Sequence, residues 1–441
     1  MSWPDPSLIT ELSDHQKAQL KKACVGQVCS LTGCPGAGKT HTVAAVVRNL
    51  LMYVNPQHIG MVAPTGKASV RATESNRKLG INLVARTVHR MLGTEHTPAG
   101  FTFKHNKDHP LPIKYLFCDE WSCADNFMNY SLFNALPDDC FVMLIGDHHQ
   151  LPPVGRGAPL RDLLKAGIPN GDLTEIWRNS GQIVKTCRDI RLGGSFTASE
   201  TPRFNGEPDQ NLCFFNERNN EHSADRLLKT FRRMIEIGTV DMKWDVQVLS
   251  YVNDGTLLSR SEINKLMQNL LNADGDPCCG KFRIGDKVMS LENKSYKWTE
   301  NGENKSEFVA NGQMAEVTEQ DGSTVRISLK GIGDGEAIVE LKKAELMDSF
   351  DLGYAISIHK SQGSSWPITF FMVDDSSKAR FMGSRQIVYT ALSRAERYCV
   401  TIGPQRVIDE NIRKSSIDIR KTGLAKSVKE VCYRGETPIW H

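Results

Sequence analysis

Gly33-Cys34-Pro35-Gly36-Ala37-Gly38-Lys39-Thr40 fits the pattern G-x-x-x-x-G-K-[ST], with an apolar run ahead of it and a helical stretch behind. Glycines at these spacings let backbone N–H groups turn inward around the α- and β-phosphates of a nucleotide. The lysine reaches the β- and γ-oxygens, and the hydroxyl that follows ligates Mg²⁺. Gly33, Pro35, Gly36, Ala37, Gly38, Lys39, Thr40 and His41 are therefore expected to hold ATP, with Thr40 as one metal ligand. A strand entering such a loop and a helix leaving it belong to an α/β fold with a parallel sheet.

Working outward from the loop, short apolar runs alternate with helical patterns. Val25 to Leu31, Ile59 to Ala63, Tyr115 to Cys118 and Phe141 to Ile145 read as one set of core strands. Val246 to Leu249, Ile368 to Val373 and Tyr398 to Ile402 read as a second set. The polar stretch Glu200 to Arg226 between them reads as a surface excursion. Two sheet-centred domains follow, with boundaries at 1–175 for the first and 176–281 plus 347–441 for the second. Residues 282–346, rich in Gly, Asn and short alternating runs such as Thr324 to Leu329, read as a small β-barrel inserted into the second domain. Residues 93–112, carrying Phe101 and Phe103, read as a hairpin inserted into the first. The slightly basic tail after Pro404 reads as a solvated helix.

Composition sets the frame. The chain has 441 residues, 40% hydrophobic and 24% charged, as expected of two to four ordinary globular domains. Lys and Arg number 54 against 51 Asp and Glu, so any nucleic-acid groove must be local rather than a property of net charge. The 12 cysteines form no C-x-x-C pair, and no signal peptide is expected, so reduced thiols in a cytoplasm are expected and a structural zinc is not. No apolar stretch reaches the length needed to cross a bilayer.

The polar residues that follow the strands carry chemistry. Asp119-Glu120 directly after Tyr115 to Cys118 place two carboxylates where ligands of open α/β sheets bind. Asp119 suits the metal, through water, and Glu120 suits the role of base toward the water attacking the γ-phosphate. Gly146-Asp147-His148-His149-Gln150-Leu151-Pro152-Pro153-Val154 again follows a strand, and Gln150 is a neutral group able to sense the γ-phosphate; a Pro-stiffened turn is the alternative. Arg178 and Arg394 are candidates for the cations that phosphoryl transfer requires, although most arginines are solvated surface charges.

Taken in order, Gly33 to Thr40, Ala63-Pro64-Thr65-Gly66-Lys67-Ala68, Asp119-Glu120-Trp121-Ser122, Gly146 to Val154, Leu173 to Arg178, His359-Lys360-Ser361-Gln362-Gly363 and Tyr389 to Arg394 resemble superfamily 1 helicases. Asp351-Leu352-Gly353-Tyr354-Ala355 and Phe282 to Met289 are similar to the RecD and Dda branch, superfamily 1B. The start of the chain shortly before Leu12 suggests the compact, phage Dda-like form. The resemblance implies two RecA-like P-loop domains, a pin-like hairpin at 93–112 and an SH3-like barrel at 282–346. It implies Gln16 on the adenine edge, Gly363 beside the nucleotide, and Arg178 and Arg394 as arginine fingers. Pro64, Thr65, Lys67, Thr87, His89, Phe101, His359, Lys360 and Ser361 become candidate DNA contacts, with His89 and His359 equally suited to capping or core roles. Trp121 departs from the small or aliphatic residue usual after the Asp-Glu pair. The implied activity is ATP-dependent, Mg²⁺-requiring 5′-to-3′ translocation on single-stranded DNA with duplex unwinding. Its partners would be single-stranded DNA and single-strand/duplex junctions, with single-stranded-DNA-binding or replisome proteins as further candidates, and the implied state is a cytoplasmic monomer. An RNA helicase, or a nucleic-acid-stimulated ATPase switch that does not unwind, fits the same motifs.

Overall fold

A computed structural model describes residues 2–97, 100–175, 181–203, 207–300, 303–330 and 337–433. The chain divides into two compact units, Met1–Arg178 with Ser416–His441, and Asn179–Ser415. The tail beyond Ser415 thus belongs with the first unit, whereas the sequence reading assigned it to the second domain. Its helix, Leu424–Tyr433, packs on the helix Pro159–Ala166. Leu424 and Val428 join the first unit's core there, so this helix is docked rather than solvated on all sides.

The first unit is built on a six-stranded sheet in the order Arg86–Thr87, Ile59–Ala63, Tyr115–Cys118, Phe141–Gly146, Val28–Gly33, Asn170–Leu173, all parallel. Alternation along the pleat divides its apolar side chains between two faces. Cys29, Leu31, Met61, Tyr115, Phe117, Met143 and Ile145 share one core with the helix after the phosphate loop. Val62, Leu116, Cys118, Val142 and Leu144 share the other with Trp121 and Leu160. Trp3 closes the first face, its Nε1 donating to the Gly26 carbonyl at 2.8 Å and its ring meeting Tyr115, Phe117 and Phe141 edge-on. Two short strands escaped the sequence reading. Arg86–Thr87 is only two residues long, and Asn170-Gly171-Asp172-Leu173 carries a single large apolar residue.

In the second unit a five-stranded parallel sheet runs Ala355–Ser357, Val246–Ser250, Trp366–Met372, Ala395–Gly403, Leu212–Asn216. The last of these lies inside the stretch read as a surface excursion; Leu212 and Cys213 are buried within it, and its polar flanks masked a four-residue apolar run. A five-stranded antiparallel sheet is inserted, in the order Ala337–Lys342, Thr324–Leu329, Met314–Asp321, Lys287–Ser290, Phe350–Leu352. The hairpin Lys294–Glu300 with Glu303–Val309 lies between its strands in sequence. In the first unit, Thr94–Thr97 and Gly100–Phe103 pair antiparallel within the stretch 93–112.

Candidate nucleotide and nucleic-acid site

Because every strand of the first sheet runs the same way, the loops leaving their carboxyl ends share one edge. Across that edge the motifs follow strand order: Thr87, then Pro64-Thr65, then Asp119-Glu120, then Asp147 to Gln150, then the phosphate loop. The candidate DNA residues stand at one end and the nucleotide residues at the other, with the carboxylates and Gln150 between.

The loop's turn needs glycine at Gly38, whose φ of 81° is left-handed and which opens the helix Lys39–Leu50. Lys39 Nζ donates to the carbonyls of Gly33 at 2.7 Å and Cys34 at 3.1 Å, bracing the loop's entry. Thr40 and His41 are exposed in the first helical turn, while Thr42 is buried, its hydroxyl on the Gly38 carbonyl at 2.9 Å.

Asp119 extends the strand pairing, its N–H donating to Val62 O at 2.8 Å. Its carboxylate accepts from the Glu120 N–H at 2.9 Å. Burial foremost, and then the neighbouring Glu120 carboxylate, push its pKa up to about 6; the Glu120 N–H, Lys39 and Arg71 pull the other way. Glu120 is the one described residue other than glycine with positive φ, at 51°. Such a backbone costs about 1–2 kcal/mol for a side chain bearing Cβ, and it turns the chain sharply at the sheet edge. Trp121 is fully buried and donates from Nε1 to Asn129 Oδ1 at 3.1 Å, filling the core beneath the carboxylates.

An oxygen-only donor pair, the exposed Thr40 hydroxyl and the half-buried Asp119 carboxylate, suits a hard divalent cation. A divalent cation there would oppose the upward push that desolvation and Glu120 exert on Asp119. Gln150 is buried and set by Asp147: its N–H donates to Asp147 O at 3.1 Å and its Nε2 lies 3.4 Å from Asp147 Oδ2. Asp147 and Arg71 escaped the sequence reading. Arg71 stands four residues after Lys67 on the helix Gly66–Lys78, a spacing that puts both on one face.

Gln16 is buried and already engaged. Its Oε1 accepts from the Ser13 N–H at 3.0 Å while its own N–H donates to Ser13 Oγ at 3.2 Å, so two-point contact with an adenine would have to exchange the first of these bonds. Thr65 and Thr87 cap helices at the ends of adjacent strands, accepting from Ala68 N at 3.2 Å and Arg90 N at 3.3 Å. Thr65 is exposed, Thr87 is buried, and Lys67 is half-buried in the first turn. Exposed His89 lies against Phe103, ring centroids 5.7 Å apart. Phe101 pairs by backbone with His96; its side chain, like all of Arg178, lies outside the described residues.

Within the second unit, His359–Ser361 forms one 3-10 turn after the strand Ala355–Ser357. Lys360 is half-buried, and burial followed by Arg260 lowers its pKa, with Asp351 opposing. Ser361 is fully buried, its hydroxyl donating to Ile358 O at 2.7 Å; as placed it holds the turn, against its expected role on a DNA strand. Gly363 continues this turn with φ 73°. Arg394 is buried against it, donating to Ser364 O at 3.1 Å, Thr390 O at 3.1 Å and Ser393 Oγ at 3.0 Å. Arg394 and the His359 turn are thereby one hydrogen-bonded assembly.

The fold and this edge define a P-loop nucleotide-binding protein with two parallel-sheet units. An AAA domain family matches residues 16–156 and a UvrD-like helicase C-terminal domain matches residues 352–402. The ATP-dependent RecD2 DNA helicase of Deinococcus radiodurans is 32% identical over 389 residues, covering 87% of this chain and 48% of that protein. The RecBCD enzyme subunit RecD of Mycolicibacterium smegmatis is 26% identical, covering 94% of this chain and 75% of that one. A chain from a structure of two coordinating Pif1 helicases unwinding forked double-stranded DNA superposes with a TM-score of 0.53 at 16% identity, covering 96% of this chain and 97% of that chain, a likeness of fold. The matched domains and these relatives make the chain similar to helicases of the RecD type. It spans about half the length of the RecD2 relative.

Proposed function

We propose that this chain is an ATP-dependent DNA helicase that moves 5′ to 3′ on single-stranded DNA and separates duplex at a junction. The observation that supports the reading is the ordered sheet edge: the residues expected to hold nucleotide, activate water and grip the strand follow consecutive parallel strands. The RecD2 relative, named as a DNA helicase, supports DNA over RNA.

In this reading Lys39 leaves the Gly33 and Cys34 carbonyls for the β- and γ-phosphate oxygens. Thr40 and Asp119 would hold Mg²⁺, which neutralises charge on the β- and γ-oxygens when bound. Glu120 takes a proton from the attacking water, Gln150 registers the γ-phosphate, and Arg178 and Arg394 supply transition-state cations. Thr65, Lys67, Thr87, His359 and Lys360 grip phosphates without reading bases. The paired strands at 94–103 serve as the strand-separating pin, and the inserted antiparallel sheet as the SH3-like domain. We assign 1–175 with the returning tail to domain 1A, 176–281 and 347–415 to 2A, and 282–346 to 2B.

The test uses duplexes tailed with a 5′ or a 3′ overhang, with ATPase stimulation by DNA and RNA measured in parallel. Unwinding of the 5′-tailed substrate only, lost in Lys39→Ala, is expected. Stimulation by RNA alone, or ATP hydrolysis without strand separation, would overturn the reading.

A further inference from the structure

The tail's return to the first unit ends on the loop that follows Gln150. Arg420 Nη1 donates to the carbonyls of Gly155 at 2.6 Å and Gly157 at 2.8 Å, and its Nη2 to Pro153 O at 2.6 Å. A planar guanidinium satisfying three carbonyls of one short segment fixes that segment's path. The tail is itself fixed from below. Buried Arg161 donates to the carbonyls of Ile417 and of Arg420, the latter at 3.2 Å, while its Nε meets Asp162 Oδ1 at 2.9 Å. The Thr422 hydroxyl donates to the other oxygen of Asp162.

The opposite side of the loop is equally constrained. Asn126 N donates to Arg156 O at 2.9 Å. A Cβ at Gly155 would fall 2.0 Å from Asp125 Oδ2, and one at Gly157 would fall 2.0 Å from Asn126 Oδ1. Asp125 and Asn126 open the helix that follows Glu120 to Ala124. Ile417 also lines a small cleft with Ser122, His148 and Gln150. The loop after Gln150 is therefore clamped between the segment that follows Glu120 and a tail segment. That tail continues, a few residues on, from the second unit's last helix, Gln405–Arg413.

We propose that Arg420 is a positioning residue for ATP hydrolysis: by holding the carbonyls of Pro153, Gly155 and Gly157 it sets the Gln150 loop and links it, through these hydrogen bonds and the chain 416–420, to the end of the second unit. The inference rests on the helicase reading given above. It assigns the tail a part in coupling, since a change at the end of the second unit reaches the Gln150 loop through residues 416–420.

The test compares the full chain with Arg420→Ala, Arg420→Lys, and a Gly-Ser insertion between Ser415 and Ser416. Expected for Arg420→Ala is a fall of about tenfold or more in DNA-stimulated kcat with KM for ATP nearly unchanged, as for loss of geometry rather than of binding. Arg420→Lys, able to serve fewer carbonyls, should lie between. The insertion keeps every bond of Arg420 yet loosens the tie, so it should raise the ATP consumed per duplex unwound while leaving DNA-free hydrolysis as it was. Hydrogen exchange should show loss of amide protection at residues 150–157 in Arg420→Ala. Unchanged kcat and exchange in a folded Arg420→Ala protein would overturn the proposal. So would a loss of activity that merely tracks the folded fraction, or an insertion with normal coupling. If the unaltered chain fails to unwind, the helicase reading is what fails, and the exchange measurement at 150–157 still decides whether Arg420 sets the loop.

Discussion

At Glu120 a carboxylate sits on a backbone that glycine would adopt with less strain, φ 51° and ψ 36°. Replacing Glu120 with Gly should stabilise the first unit by about 1 kcal/mol while removing the proposed base, because the left-handed penalty falls on residues with Cβ. Thermal melting and ATP turnover measured on one preparation check this, and a loss of stability would show that the side chain, not the backbone, holds the turn. Glu120→Gln separates the chemistry, with hydrolysis lowered about 10²–10⁴-fold and nucleotide still bound. Asp351 offers a second residue-scale test. Burial pushes its carboxyl up, but hydrogen bonds from Lys281 and Arg260 more than offset this and leave it below the usual carboxylate range. A depressed carboxyl contributes stability above its unfolded pKa, near 3.9, and loses it as pH falls through the lower folded value. Asp351→Asn should therefore cost about 1.5–3 kcal/mol at pH 7. The gap from the unaltered chain should close on acidification below about pH 4 in denaturant titrations.

Elements were legible where a long apolar run or a dense motif marked them. The phosphate-loop strand, the Asp119-Glu120 strand and the strand before Gly146 all stand within a few residues of their sequence-derived places. Strands defined by long-range pairing were not legible: Asn170–Leu173 is held by Val28–Gly33 rather than by its own composition. Nor could sequence place the tail, because Arg420 finds its carbonyl partners far away in the chain. The junction between the inserted sheet and the second parallel sheet shows the same dependence on distant partners. Buried Asp286 accepts from Gln268 Nε2 at 2.6 Å, Asn272 Nδ2 at 2.8 Å, Arg283 N at 2.7 Å and Tyr354 OH at 3.0 Å. Next to it, buried Lys287 reaches Gln247 Oε1 at 3.1 Å on the parallel sheet. Asp286→Ala leaves several buried donors without acceptors and should destabilise the second unit by about 3 kcal/mol or more. Hydrogen exchange resolved by unit checks it: protection should fall in residues 212–402 while the phosphate-loop helix keeps its own.

For the whole chain, the proposed translocation requires that nucleotide and DNA alter each other's affinity, and the factor must be the same in both directions. The candidate DNA groups belong to both units, Thr65 and Lys67 to the first, His359 and Lys360 to the second. Arg394 is bonded into the turn that carries His359 and Lys360, through the Ser364 carbonyl. If Arg394 leaves that turn for the γ-phosphate, the turn loses a brace each time ATP binds, and its grip on the strand changes with it. Arg394→Ala should therefore bind a non-hydrolysable ATP analogue and single-stranded DNA separately, yet bring the coupling factor between them close to one. Anisotropy titrations of labelled DNA with and without analogue, and of labelled analogue with and without DNA, measure the factor twice. If Arg394 is the proposed arginine finger, hydrolysis should fall by about 10³-fold in the same variant, since such an arginine acts mainly in the transition state. Lys360→Ala gives the contrasting case: DNA affinity falls and the salt slope shallows by about 0.7, the share of one single-strand phosphate contact, while the coupling factor survives. A coupling factor that persisted in Arg394→Ala would move the communication between the sites elsewhere, with the hydrogen-bonded Arg420 link to the Gln150 loop as the next route to test.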